Sequence, residues 1–331
     1  MSEANSAHHG IESLPPEILS YIFIIGSDNL IYEDISAFGD NDNMNDINND
    51  DSDEETHFAT LCSSVCQYWR DIAINTCQLW SSLIFDGSEV SLERSTVWLA
   101  RSKDVPLSIL VDLPDSEGKI APTSRGGSDM SDRILELILP HVLRWKIFAL
   151  QADSNELIFM WQTRLALLSS APILEHIEFH CSEEWFDEHA SQPPMFRSPP
   201  VIFPSGTPNI RSVDLWGVHL DWESVTFFTG LESLHLAWHT KDVRPTTEQF
   251  VQALIKSPKL ETLYLEGSAP SPGAWPQERI ILFNLRRLGL GQIDLSDALS
   301  VVDHIEFPAL VSTNGVYCVR GYEPYQLDSQ P

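Results

Sequence analysis

Basic residues are what this chain has least of for its size: 20 Lys and Arg stand against 48 Asp and Glu, a formal net charge of -28, and none occurs before Arg70. Phosphate backbones and anionic bilayers are held by clustered Lys and Arg, so neither nucleic acid nor a membrane is expected as a partner. Long apolar runs are missing as well. No stretch approaches the roughly 18 consecutive apolar residues that span a bilayer, and the opening MSEANSAHHG has neither the basic nor the apolar region of a secretory signal. The expectation is a protein not exported by that route. Cysteine is scarce and odd in number, 5 in 331 residues, which does not make a disulfide framework and fits the cytoplasm or nucleus. The signatures GxSxG, HExxH, GxGxxG, CxxC and the P-loop are also missing, so neither catalysis nor a cofactor is expected.

What remains is an apolar fraction of 43%, enough for a small module plus a larger domain. Two short segments near the start are the most informative. In LPPEILSYIF, residues 14 to 23, Pro15 and Pro16 fall where a first helical turn tolerates proline, and Ser13 can cap it. Ile18, Leu19, Ile22 and Phe23 then recur at the spacing of one helix face, and Leu61, Val65, Trp69, Ile72 and Ala73 repeat the pattern around VCQYWRDIA. Between them, residues 26 to 57 are rich in Asp, Asn and Glu and carry no basic residue, the composition of a disordered insert. Ser52, followed by Asp53, Glu54 and Glu55, has the surroundings of a site for an acid-directed kinase.

Beyond residue 85 a different pattern recurs. LEHIEF at 174, IRSVDL at 210, LESLHL at 231, LETLYL at 260 and LRRLGL at 285 share the form LxxLxL, and WKIFAL at 145 fits it more loosely. Pro172, Pro208 and Pro258 each stand two residues before such a segment, and Pro308 stands likewise before Leu310, where proline stops a helix and favours extended backbone. Helices are predicted at 91 to 102, 131 to 139, 156 to 168 and 246 to 257, the last with a Thr246 and Gln249 capping box and Phe250, Val251, Leu254 and Ile255 as its apolar stripe. WSSLIF at 80 to 85 and PLSILVDL at 106 to 113 read as strands. The Pro-rich stretch 191 to 208 reads as a long loop.

In an LxxLxL strand the apolar residues face the core and the residues between them face outward. That outward set is His176, Glu178, His180, Ser212, Asp214, Trp216, Ser233, His235, Ala237, Thr262, Tyr264, Glu266, Arg287, Gly289 and Gly291. Within it His176, Glu178, His180, Asp214, Trp216, His235, Tyr264 and Glu266 are the candidate target-binding residues, since interleaved aromatic and acidic groups suit a protein ligand with basic and apolar side chains. The nearest approaches to a metal site are His57 with Cys62 and Cys66, and His176, Glu178 and His180 with Cys181. Small buried residues and a polar strand face account for both more simply, and no metal is expected.

Taken together, the LPPEILSYIF and VCQYW segments resemble the two halves of an F-box, and the order that follows resembles a large fungal group of F-box-like proteins with divergent leucine-rich repeats. The resemblance implies an α+β or α/β repeat fold: an N-terminal three-helix F-box followed by an irregular leucine-rich-repeat solenoid. It divides the chain into a disordered 1 to 10, an F-box-like domain at 11 to 85 interrupted by the insert at 26 to 57, a repeat domain at 86 to 320 and a tail at 321 to 331. It also implies that Leu14, Pro15, Ile18, Leu19, Val65, Cys66 and Trp69 dock on a Skp-type adaptor, which joins the chain to a cullin scaffold. Trp80 would close the module. The implied role is a substrate-recruiting subunit of a cullin-type ubiquitin ligase with an unidentified protein target; a scaffold acting outside any ligase is the alternative. One departure stands out. Where the family usually has asparagine after LxL, this chain has Val218, His239, Ser268 and Ile293.

Overall fold

A computed structural model describes residues 14–37, 57–113, 125–182, 194–223 and 227–317. The chain forms two compact units, Met1–Leu110 and Val111–Pro331. The division between them falls within a strand near residue 110, whereas the sequence pattern changes at residue 85. The termini at 1 to 10 and 321 to 331, Ser13 and Ser52 all lie outside the described residues.

The first unit begins with helix α1 (Pro16–Ala37). Pro15 O accepts the first helical bonds from the N–H groups of Ile18 and Leu19, both at 3.1 Å, and Pro16 sits in the first turn, where its missing donor costs nothing. Residues 26–37 of the expected disordered insert are thus helical; residues 38–56 lie outside the described set. The single helix expected over Leu61 to Ala73 is instead two, α2 (Phe58–Ser64) and α3 (Gln67–Asn75). Cys66 takes extended backbone between them and caps α3, its Sγ accepting from Trp69 N–H at 3.5 Å. Gly26 allows α2 to approach α1: a Cβ there would collide with the Phe58 ring.

A 3-10 helix (Cys77–Trp80), strand β1 (Ser82–Phe85), helix α4 (Glu89–Ser102) and strand β2 (Leu107–Leu113) complete this part of the chain. Trp80 is fully buried. Its Nε1 donates to Ala73 O at 2.8 Å, Trp98 of α4 meets it edge-on at 5.6 Å, and Arg101 lies over its ring at 4.4 Å. These contacts tie α4 to the helices and explain why the unit extends past residue 85. Each large buried side chain of this kind contributes about 1.5–3 kcal/mol of gross apolar burial.

The second unit contains α5 (Arg125–Ile138), β3 (Trp145–Ala152), α6 (Asn155–Leu165), β4 (His176–Cys181), β5 (Ser212–Trp216) and β6 (Ser233–Ala237). It continues with α7 (Thr247–Ile255), β7 (Thr262–Glu266), β8 (Ile280–Ile281), β9 (Arg287–Gly291), α8 (Leu295–His304), β10 (Ile305–Glu306) and β11 (Ser312–Tyr317). Strands β3, β4, β5, β6, β7, β9 and β11 lie side by side in that order, with parallel pairing throughout. β4, β5, β7 and β11 each begin four residues after one of the prolines Pro172, Pro208, Pro258 and Pro308. Ile177, Phe179, Val213, Leu215, Leu234, Leu236, Leu263, Leu265, Leu288 and Leu290 fill the core face, all buried. Trp145 stacks on Phe148 at 4.9 Å, and Trp161 of α6 hydrogen-bonds Ser131 of α5 at 2.7 Å. The capping box of α7 forms as expected, but of its apolar stripe Ile255 is exposed.

This architecture corrects the expected three-helix F-box followed by a leucine-rich-repeat solenoid. The described residues form an α/β fold with a mostly parallel sheet and no solenoid among them. The physical reason lies between the strands. LxxLxL sets the strands and their shared core face, but the connections are unequal: α6 leads from β3 to β4 and α7 from β6 to β7, the described residues between β5 and β6 hold no helix, and β8 intervenes before β9. A common unit therefore does not recur. Among the described residues no helix is long and apolar enough to cross a membrane.

Candidate functional site

In the first unit α1 has two apolar faces. Leu19 and Phe23 are buried, and Phe23 meets the Trp69 ring at 5.0 Å. Ile18, Tyr21, Ile22 and Ile25 stay 49%, 62%, 42% and 47% exposed. Their spacing of i, i+3, i+4 and i+7 makes one continuous stripe along the helix. Of the residues expected at an adaptor contact, Pro15, Ile18 and Val65 are exposed and Leu14 is half-buried, its carbonyl accepting from Tyr68 Oη at 2.7 Å. Leu19 is buried, one turn before Phe23 on the same side of the helix. Cys66 is a helix cap, and Trp69 is half-buried with its Nε1 lacking a hydrogen-bond partner among the described residues. Tyr21 and Ile25 were missed in the sequence, although the spacing from Ile18 already placed them on that stripe.

His57 turns its ring toward Trp98 at 5.2 Å, and burial pushes the thiol of Cys62 up to about 11, which disfavours the thiolate that binds metal. Among the described residues no group of three or more His, Cys, Asp and Glu is arranged to hold a metal ion.

In the second unit, the expected outward residues do come together. Because β4, β5, β6, β7 and β9 pair in register, they form three rows across the sheet. The first row is His176, Ser212, Ser233, Thr262 and Arg287; the second is Glu178, Asp214, His235, Tyr264 and Gly289; the third is His180, Trp216, Ala237, Glu266 and Gly291. The face is less open than expected, with Glu178, His180 and Ala237 buried. Rings shield one another across strands: His180 stacks on Trp216 at 5.0 Å, and His235 meets Tyr264 at 5.7 Å. Gly289 matters here, since a Cβ would collide with the Tyr264 ring.

The charges of the face are partly matched. His235 Nδ1 lies 2.9 Å from Asp214 Oδ2, and His176 Nε2 lies 3.5 Å from Glu178 Oε2. Burial opposes protonation of His235, but the hydrogen bond and charge of Asp214 outweigh it and raise its pKa. Burial raises the pKa of Glu178 despite His176, and burial lowers that of His180, keeping its ring neutral. Arg287 is held by Thr262 Oγ1 at 2.8 and 3.0 Å. The sequence reading missed Gln151, which the register of β3 on β4 places beside His180; the alternation Ile147, Ala149, Gln151 would have found it. It also missed Trp238, which follows β6 at a positive φ of 55°, is exposed, and lies 6.2 Å from Trp216.

A buried polar knot lies just past the strands. His239 Nδ1 faces Ser268 Oγ at 2.8 Å, its Nε2 faces Val218 O at 2.7 Å, and its N–H donates to Ser268 Oγ at 2.8 Å. Both side chains are buried, and the pair links the turns after β5, β6 and β7. The sheet face thus carries carboxylates and imidazoles among indole and phenol rings. No protein-family model, curated protein or solved structure matches this chain.

Proposed function

We propose that this chain is a non-catalytic recruiting subunit of a cullin-type ubiquitin ligase, with the first unit docking on a Skp-type adaptor and the sheet face of the second holding a protein target. The observation that carries the reading is the stripe Ile18, Tyr21, Ile22 and Ile25, exposed on a helix whose opposite face is already occupied by Leu19 and Phe23. Four large apolar residues aligned on one exposed face are the usual mark of an interaction site. The stripe belongs to the very segment, LPPEILSYIF, that resembles the adaptor-binding half of an F-box. The mechanism is proximity: the chain transfers nothing and brings a target to the ligase's catalytic arm. Such a role places it in the cytoplasm or nucleus.

Purified chain and Skp-type adaptor, mixed and followed by isothermal titration calorimetry, test this directly. Replacing Ile18 and Ile22 with Ala removes about 3–6 kcal/mol of gross apolar burial at the contact, enough to abolish binding while leaving the melting temperature unchanged. Retained binding by the double variant, or none by the wild type, would overturn the docking assignment. Adaptor binding without ubiquitylation of any captured target would leave a scaffold outside the ligase.

A further inference from the structure

Two polar side chains on the sheet face, Gln151 and His180, make no hydrogen bond among the described residues. Gln151 Oε1 is buried and unpartnered among the described residues. Its neighbour in register, His180, is only 8% exposed and makes no hydrogen bond among the described residues; its ring is in contact with Trp216. The next row brings the carboxylates of Glu178 and Asp214, which have histidines as their nearest cations. Burial has already made the Glu178 carboxyl harder to ionise and left the His180 ring neutral, with a nitrogen able to accept.

We infer that this part of the sheet face, from Gln151 and His180 across to Asp214 and Trp216, is a docking patch for an arginine side chain of a protein partner. The inference rests on the reading of the sheet as a target-binding face and names what that face selects. What the patch is short of is a donor: the Gln151 amide oxygen has none, one nitrogen of the neutral His180 imidazole accepts, and the Asp214 carboxylate, held by His235 through Oδ2, has a second oxygen to accept with. A guanidinium only donates, through five N–H groups in a planar fork, and brings a permanent positive charge beside carboxylates whose partners are histidines. A lysine ammonium would satisfy a carboxylate but lacks the planar fork. The net charge of -28 adds long-range attraction for a basic segment.

The test uses the purified full chain without adaptor and a fluorescein-labelled peptide, GSGLRLGSG, followed by anisotropy. Three versions of the peptide carry arginine, its neutral isostere citrulline, or lysine at the central position. Arginine should bind about tenfold or more tightly than either replacement. Asp214→Asn should weaken the arginine peptide by about tenfold. His180→Phe, which keeps a ring beside Trp216 and removes the acceptor, should weaken it less but measurably. Glu232→Gln, a change at an exposed carboxylate paired with Arg211, should leave binding alone and serves as the control for bulk charge. No binding of the arginine peptide, equal binding of the citrulline or lysine peptide, or losses no larger than that of Glu232→Gln would overturn the assignment. A chain that binds the arginine peptide in this way but fails to bind the adaptor loses the ligase reading and keeps the docking patch.

Discussion

Acidifying the medium from pH 7.5 to 5.5 should destabilise the second unit by about 1.4 kcal/mol through His239 alone. Burial lowers the pKa of this imidazole from 6.5 to about 3, with its ring held between Ser268 Oγ and Val218 O. In the unfolded chain the same ring takes up its proton near 6.5, so over this interval the unfolded state binds more protons than the folded one. The stabilisation is complete above that pH and is lost as the pH falls towards 3, at about 1.4 kcal/mol per pH unit. Since the folded value lies well below the window, the unfolded value sets the size of the effect. His235 works in the opposite direction, its pKa being raised by Asp214, so the wild-type slope alone is not diagnostic. The informative quantity is the difference between wild type and His239→Gln in urea unfolding followed by tryptophan fluorescence at both pH values. The variant should be weaker by about 1–3 kcal/mol at pH 7.5, because a buried partner is left unsatisfied. Its further loss on acidification should be smaller than that of the wild type by about 1.4 kcal/mol. Equal losses in the two proteins would refute the assignment of His239 as a buried neutral group.

Other consequences are equally direct. Gly289→Ala should lower stability by about 1–3 kcal/mol through the collision with Tyr264, and Tyr264→Ala in the same chain should relieve part of that loss in a thermal melt. Thr246→Ala removes the bond from Gln249 N–H to Thr246 Oγ1 in the capping box of α7 and should cost about 1 kcal/mol in urea unfolding. Cys62, buried and with its thiol pushed up to about 11, should escape iodoacetamide at pH 8 in the folded chain and react once urea is added; mass spectrometry that finds it alkylated in the native protein would contradict its place in the core.

The sequence by itself determined the elements whose cause is local. Alternation in LxxLxL placed β4, β5, β6, β7 and β9 and assigned their inward and outward residues, because a strand turns successive side chains to opposite faces whatever lies beside it. Pro172, Pro208, Pro258 and Pro308 marked where strands begin, and Thr246 with Gln249 marked where α7 starts. Tertiary structure decided the rest. On α1, spacing alone could not tell whether Ile18 and Ile22 or Leu19 and Phe23 would meet a neighbour, since both pairs are apolar and adjacent; packing against Trp69 buried the second pair. The break at Cys66 was equally hidden, because Leu61, Val65 and Trp69 keep helical spacing across it. The unequal connections between strands, which replaced the expected solenoid with an α/β fold, depend on how each segment covers the shared core. The knot of His239, Ser268 and Val218 and the neighbouring pair Gln151 and His180 join residues from different strands and turns. A linear pattern records what each residue is and how it alternates with its neighbours, whereas burial and partnership are set by segments distant in the chain that only folding brings together.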